Sequence, residues 1–241
     1  MTDATIAALG AELSRLLHLA AKPVGIAFRA EAATPGVAPL GRARPAPTAD
    51  GRTGAVPASR VFWGLAERET FSTVEADHGN CSVGLYTHGF KGLAEVAGNA
   101  DVAALVGAGW VGEADFPRIP QVKDKPAAIV YGPLASLPVA PDVIYLRLNA
   151  KQAMVLDDAL GGVRFEGKPQ CHVLAIAKDA GETAISVGCM LSRVRTGMPN
   201  GEMSCAIPAG KLGEVVAALT RNAETERTVA GYAAADAARF A

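Results

Sequence analysis

Ala127-Ala128-Ile129-Val130-Tyr131 and Asp142-Val143-Ile144-Tyr145-Leu146-Arg147-Leu148 are the two clearest strands in the chain. Each is a short run of β-branched, aromatic and aliphatic residues, too short for an independent helix. Pro117, Pro120 and Pro126 make the stretch before them a loop. Further strands are expected at Val24–Phe28, Phe71–Val74, His172–Ala177, Thr183–Val187 and Met203–Ile207. Helical periodicity marks Thr5–Ala21, where Ile6, Leu9, Leu13, Leu16, Leu17 and Ala20 recur on one face. Ser59–Glu69, a broken helix over Gly92–Val106, Lys151–Leu160 and Lys211 to about Phe240 follow, with Gly161-Gly162 closing the Lys151 helix. Strands cluster in the middle and helices at both chain ends. That order predicts an α+β fold with a mixed or antiparallel central sheet, not a βαβ array. Residues 1–241 are read as one domain, with 31–56, rich in Ala, Pro, Gly and Thr, as a long irregular surface excursion.

Composition narrows the function classes. The chain has 23 basic against 24 acidic residues, a net charge of -1 and 5% aromatics. It therefore lacks the electrostatic footprint and stacking platforms of a nucleic-acid binder, and the basic patch that would hold an anionic membrane. The longest apolar run, Val102–Gly112, is too short and too glycine-rich to span a bilayer. No signal peptide is read at Met1-Thr2-Asp3-Ala4-Thr5, so a cytoplasmic location is expected. Thiols there stay reduced, and four dispersed cysteines point to core packing, metal ligation or catalysis before disulfides.

The chemically richest stretch is Glu75-Ala76-Asp77-His78-Gly79-Asn80-Cys81-Ser82-Val83-Gly84-Leu85-Tyr86-Thr87-His88-Gly89-Phe90. On a continuous helix His78, Cys81 and His88 would share an arc of about 80°. Imidazole and thiol would then meet, with Asp77 or Asn80 orienting a ring nitrogen. Cys189 ends a strand-like run and precedes Met190–Gly197, so its sulfur is expected near backbone N–H groups and Arg193 one turn on, which would favour the thiolate. Cys171 follows Lys168-Pro169-Gln170 and opens the expected His172 strand. Cys205 reads as core and His18 as structural. Gly107-Ala108-Gly109-Trp110-Val111-Gly112 spells G-x-G-x-x-G. It follows a helix and precedes prolines, so it is rejected as a dinucleotide fingerprint. Serine-hydrolase, P-loop and zinc-protease motifs are not read in the chain.

Lys22-Pro23-Val24-Gly25-Ile26, Asp77–Gly84 with Tyr86–Gly89, Tyr131–Leu134, Gln152-Ala153-Met154, Lys168–Cys171 and Gly188-Cys189 with Arg193 and Thr196-Gly197 resemble the domain-of-unknown-function 169 family, the ArCR group. The resemblance runs from about residue 20 to 220 and implies a shared cysteine site. It also implies a further cysteine before Trp63, where this chain reads Pro57-Ala58-Ser59-Arg60-Val61-Phe62-Trp63. A four-cysteine site would thus be incomplete here. The leading expectation is a metal or iron–sulfur protein in which Cys81, Cys171 and Cys189 hold zinc or an iron–sulfur cluster, with His78 or His88 completing the set and a redox or substrate-activating role. The alternatives are a metal-free nucleophile, Cys81 or Cys189, with His78 or His88 as base and Arg193 as anion binder, or a small-molecule binding domain without catalysis. Expected partners are a small-molecule ligand, an anionic one included, and a second copy of the chain; nucleic acid and membrane are not expected.

Overall fold

A computed structural model of the chain describes residues 3–41 and 59–240. The elements, in order, are α1 (Asp3–Leu17), β1 (Val24–Arg29), α2 (Ser59–Ala66), β2 (Phe71–Thr73), α3 (Ser82–Thr87), α4 (Leu93–Val96), α5 (Ala100–Gly107), β3 (Ala128–Pro133), β4 (Val143–Leu148), α6 (Ala150–Leu160), β5 (Arg164–Glu166), α7 (His172–Ala175), β6 (Ala184–Ser186), α8 (Met190–Thr196), β7 (Met203–Pro208) and α9 (Leu212–Ala237). The strands form one sheet in the order β2-β3-β1-β4-β7-β6-β5. Every neighbouring pair is antiparallel except the edge pair β5–β6. The fold is α+β with a mixed sheet and helices at both ends, as the sequence predicts. No helix among the described residues is long and apolar enough to cross a membrane.

Helices cover both faces of the sheet, which is why its central strands read as near-continuous apolar runs. α1, α6 and α9 pack on one face, against Ile144, Leu146, Ile185, Cys205 and Ile207. α2, α7 and the region of α3 and α4 pack on the other, against Val24, Ile26, Tyr131, Val143, Tyr145 and Ala206. Along each strand successive side chains alternate between the two layers. On this second face Trp63 lies on Tyr145 with ring centroids 4.3 Å apart, anchoring α2 to the middle of the sheet. A polar chain crosses the same face. Ser204 donates to Gln170 Oε1 at 3.1 Å and lies 3.0 Å from the Tyr145 hydroxyl. The Gln170 amide donates onward to Ser192 on α8 at 2.7 Å.

Several expected elements differ. His172–Ala177 is not a strand but α7 running into a π-helical turn, Ile176–Ala180. All six of those residues are buried. An apolar run enclosed on every side carries no period by which helix and strand could be told apart. The continuous helix over 75–90 is absent: a 3-10 turn at Glu75–His78 ends before Gly79, and α3 starts only at Ser82. β5 is a short, largely exposed edge strand with no apolar signal. It lies within Gly162-Val163-Arg164-Phe165-Glu166-Gly167-Lys168, which does spell the first seven positions of a P-loop. Pro169 stands where that motif needs Ser or Thr, and a strand runs where its phosphate loop would be. Of the expected 31–56 excursion, residues 42–56 lie outside the described residues; Pro39 bridges to Ser72 beside β2.

Glu202 ties this face together. Its carboxylate takes two hydrogen bonds from Arg60 of α2, at 2.9 and 2.8 Å, and one from Arg147 of β4 at 3.1 Å. Its side chain is 7% exposed and that of Arg60 12%. Removing the carboxylate strands the Arg60 guanidinium in a largely dry site and leaves Arg147 with Glu67 alone, so Glu202→Ala should cost about 3 kcal/mol. Urea unfolding checks this: the midpoint should fall sharply for Glu202→Ala and stay put for Glu12→Ala, which breaks an exposed pair with Arg15.

Candidate functional site

Cys81, Cys171 and Cys189 line one cavity, walled also by Val83, Trp110, Pro169, Leu191, Ser192, Arg195 and Thr196. Each cysteine stands at the start of a short helix: Cys81 caps α3, Cys171 precedes α7 and Cys189 caps α8. The cap positions leave the sulfurs free of the helical ladder and turned toward the gap between the three helices. Only the Cys81 sulfur acts as a cap, accepting the Gly84 N–H at 3.4 Å. All four cysteines are free thiols.

The electrostatics keep two of these thiols neutral. Desolvation pushes Cys81 up to about 11, with Asp101 adding to the rise and the Gly84 N–H and Arg195 opposing it. Cys171 is pushed up further, by burial first and then by the neighbouring Cys81, against the hydroxyls of Ser59 and Thr87. Among the described residues no group of three or more His, Cys, Asp or Glu side chains is gathered closely enough to hold a metal ion. The three sulfurs therefore share a cavity without converging on one point. The cavity volume, about 30 Å³, suits about two waters or a single ion and is less than a four-iron cluster needs.

The other expected site residues lie elsewhere. His78 and His88 do not line the cavity. They pack together in the core, ring centroids 5.2 Å apart, with His78 also against Phe62 and Phe90. His78 Nε2 lies 2.9 Å from the Thr73 hydroxyl, and His88 Nδ1 donates to the Gly84 carbonyl at 2.7 Å. That leaves His88 Nε2 buried without a partner among the described residues. Arg193 is taken up by main chain: it donates to the carbonyls of Val187, Pro199 and Glu202. It thereby clasps the two ends of the α8 segment, and it explains Gly188, whose φ is 105° and where a Cβ would come within 2.6 Å of the Arg193 Nη2. The cation that faces the thiols is Arg195, which was not among the expected site residues. Nor were Trp110 and Pro169 expected at the site: Trp110 lies in the rejected Gly107–Gly112 stretch and Pro169 in the Lys168–Cys171 stretch, and neither stretch tells that the two side chains meet at one cavity. Cys205 is on β7, facing the opposite layer, and His18 is exposed at the end of α1.

The buried imidazoles generate a pH dependence. Desolvation lowers His88 from the ordinary 6.5 to about 4, against the hydrogen bond to Gly84, and lowers His78 too, with His88 adding to the effect. Above pH 6.5 both states of the chain are neutral at this site. Between 6.5 and about 4 the unfolded chain takes a proton that folded His88 refuses, so stability falls on acidification, by about 3 kcal/mol from His88 alone. Urea midpoints measured over that range should drop for the native chain and drop less for His88→Gln.

Compared with known proteins, the chain matches the model of the DUF169 family, described as an uncharacterised ArCR, over residues 12–218. No curated protein and no solved structure matches it.

Proposed function

We propose that this chain, which belongs to the DUF169 family, captures a thiophilic group, zinc or an iron–sulfur cluster, with Cys81, Cys171 and Cys189, and uses it in a redox or substrate-activating role in the cytoplasm. One observation carries the reading: three of the four cysteines, from distant parts of the chain, line one cavity. Cys171 also packs in the core of this face, but packing does not require two more thiols beside it, and Cys205, in the opposite layer, supplies the contrast within the same molecule. For Cys81 and Cys171, desolvation favours a cationic guest over a metal-free nucleophile. Thiols held protonated by burial are poor nucleophiles at neutral pH. A soft cation supplies the missing countercharge and displaces the protons.

Zinc is the guest that the cavity, at about 30 Å³, fits by size, and a four-iron cluster does not fit it unless the walls part. The sulfurs are not gathered for an ion as they stand, so binding requires the side chains to close on it. The histidines expected as a further ligand are in the core behind the site. Any chemistry at the guest would therefore rest on three thiolates and a position left open to the cavity.

The test is reconstitution of anaerobically purified protein with zinc, and separately with iron and sulfide, followed by metal analysis and visible absorption. Native protein and Cys205→Ser should each take up a stoichiometric guest. Cys81→Ser, Cys171→Ser and Cys189→Ser should each lose it by tenfold or more in affinity, and uptake should rise with pH as the thiols ionise. Equal uptake by native protein and all three site variants, or none by any, sinks the reading.

A further inference from the structure

The thiol cavity does not end at the thiols. Val83, Trp110 and Pro169 also wall a second cleft, which continues past Tyr86, Leu105 and Phe116 and is partly open to water. The walls of the second cleft are apolar, and among the described residues no carboxylate lines either space. At the thiol end stands Arg195. One of its nitrogens donates to the Asn80 carbonyl at 2.8 Å, and among the described residues no acidic side chain pairs with it. Arg60 and Arg147, on the same face, are matched by Glu202 and Glu67. Lys168 Nζ adds positive charge at the junction, 4.9 Å from the Trp110 ring centroid.

We infer that the joined cavities bind a small organic carboxylate, its carboxylate on Arg195 and its apolar body along Trp110 and Pro169 into the second cleft. A planar guanidinium offers two parallel donors to a carboxylate. A singly charged head costs less to bring beside apolar walls than a doubly charged phosphate. The two spaces are about 40 and 30 Å³, so the first few carbons are seated and the rest of the chain leaves through the open side of the second cleft; seating them removes those apolar walls from water. The inference goes beyond the thiol-held guest and does not depend on it, because Arg195 and the walls of the second cleft are residues other than the three thiols.

Calorimetric titration of metal-free full-length protein with octanoate, octan-1-ol and octyl phosphate tests it, with circular dichroism establishing that each variant is folded. Octanoate should bind native protein, and Arg195→Met should weaken it at least tenfold while leaving octanol unchanged. Arg195→Lys, which keeps the charge and loses the fork, should fall between. Ala97→Trp fills the second cleft from its α4 side and should weaken octanoate and octanol together. The titration uses metal-free protein and the reconstitution uses no carboxylate, so octanoate binding without metal uptake, or metal uptake without octanoate binding, shows that this inference and the thiol-guest reading fail separately. Absence of octanoate binding, indifference to both Arg195→Met and Ala97→Trp, or tighter binding of octyl phosphate than of octanoate would each overturn it.

Discussion

The antiparallel register of β4 between β1 and β7 is the constraint on which the rest of the molecule depends. Tyr145 stands opposite Val24 on one side and Ala206 on the other. Because side chains alternate along a strand, that register sorts every residue of the central sheet into one of two layers. Val143, Tyr145 and Ala206 go to the face that carries the candidate site, and Ile144, Leu146, Cys205 and Ile207 to the face under α1, α6 and α9. A slip of one residue would exchange the two sets. It would bring Cys205 to the site face and take Tyr145 and Ser204 away from it.

From that face the site is built outward through polar contacts. Tyr145 and Ser204 reach Gln170, and Gln170 reaches Ser192. The chain of contacts thus fixes the backbone just before Cys171 and the helix just after Cys189. Arg193 finishes the task by tying the segments on either side of α8 to one guanidinium. Cys81 arrives separately, at the cap of α3, where Ser82 is held to Asp101 through both its N–H and its hydroxyl, at 2.9 and 2.6 Å. The buried polar groups are spent on holding thiols in place while the cavity itself is walled mainly by carbon and sulfur. Such a site favours a guest that is soft or apolar, with Arg195 as its anionic handle.

The strands Val24–Phe28, Phe71–Val74, Ala127–Tyr131, Asp142–Leu148 and Met203–Ile207 were legible because β-branched and aromatic runs of that length fit little else. α1 and α9 were legible through their periodicity, and the end of α6 through Gly161, whose φ is 70°. α7 was not. Its residues are buried on all sides, and burial on all sides erases the pattern on which the reading depends. The grouping of Cys81, Cys171 and Cys189 was expected from their neighbours in sequence and from the family resemblance.

What the sequence by itself determined is the α+β class, the family, and three cysteines set among turn-forming and polar residues. Those properties are local: propensity, period and composition act within a few residues. Which side chains share a cavity was decided only by the tertiary structure. His78 and Cys81 are three apart, yet a turn at Gly79 and Asn80 sends the imidazole into the core and leaves the thiol at the cavity wall. Arg193 and Arg195 are two apart on one short helix, and one clasps carbonyls while the other faces the thiols. Trp110 comes to Pro169 and Val83 across the whole fold. Such meetings are set by how the helices seat on the sheet, a sum over many distant contacts that no short stretch of chain encodes.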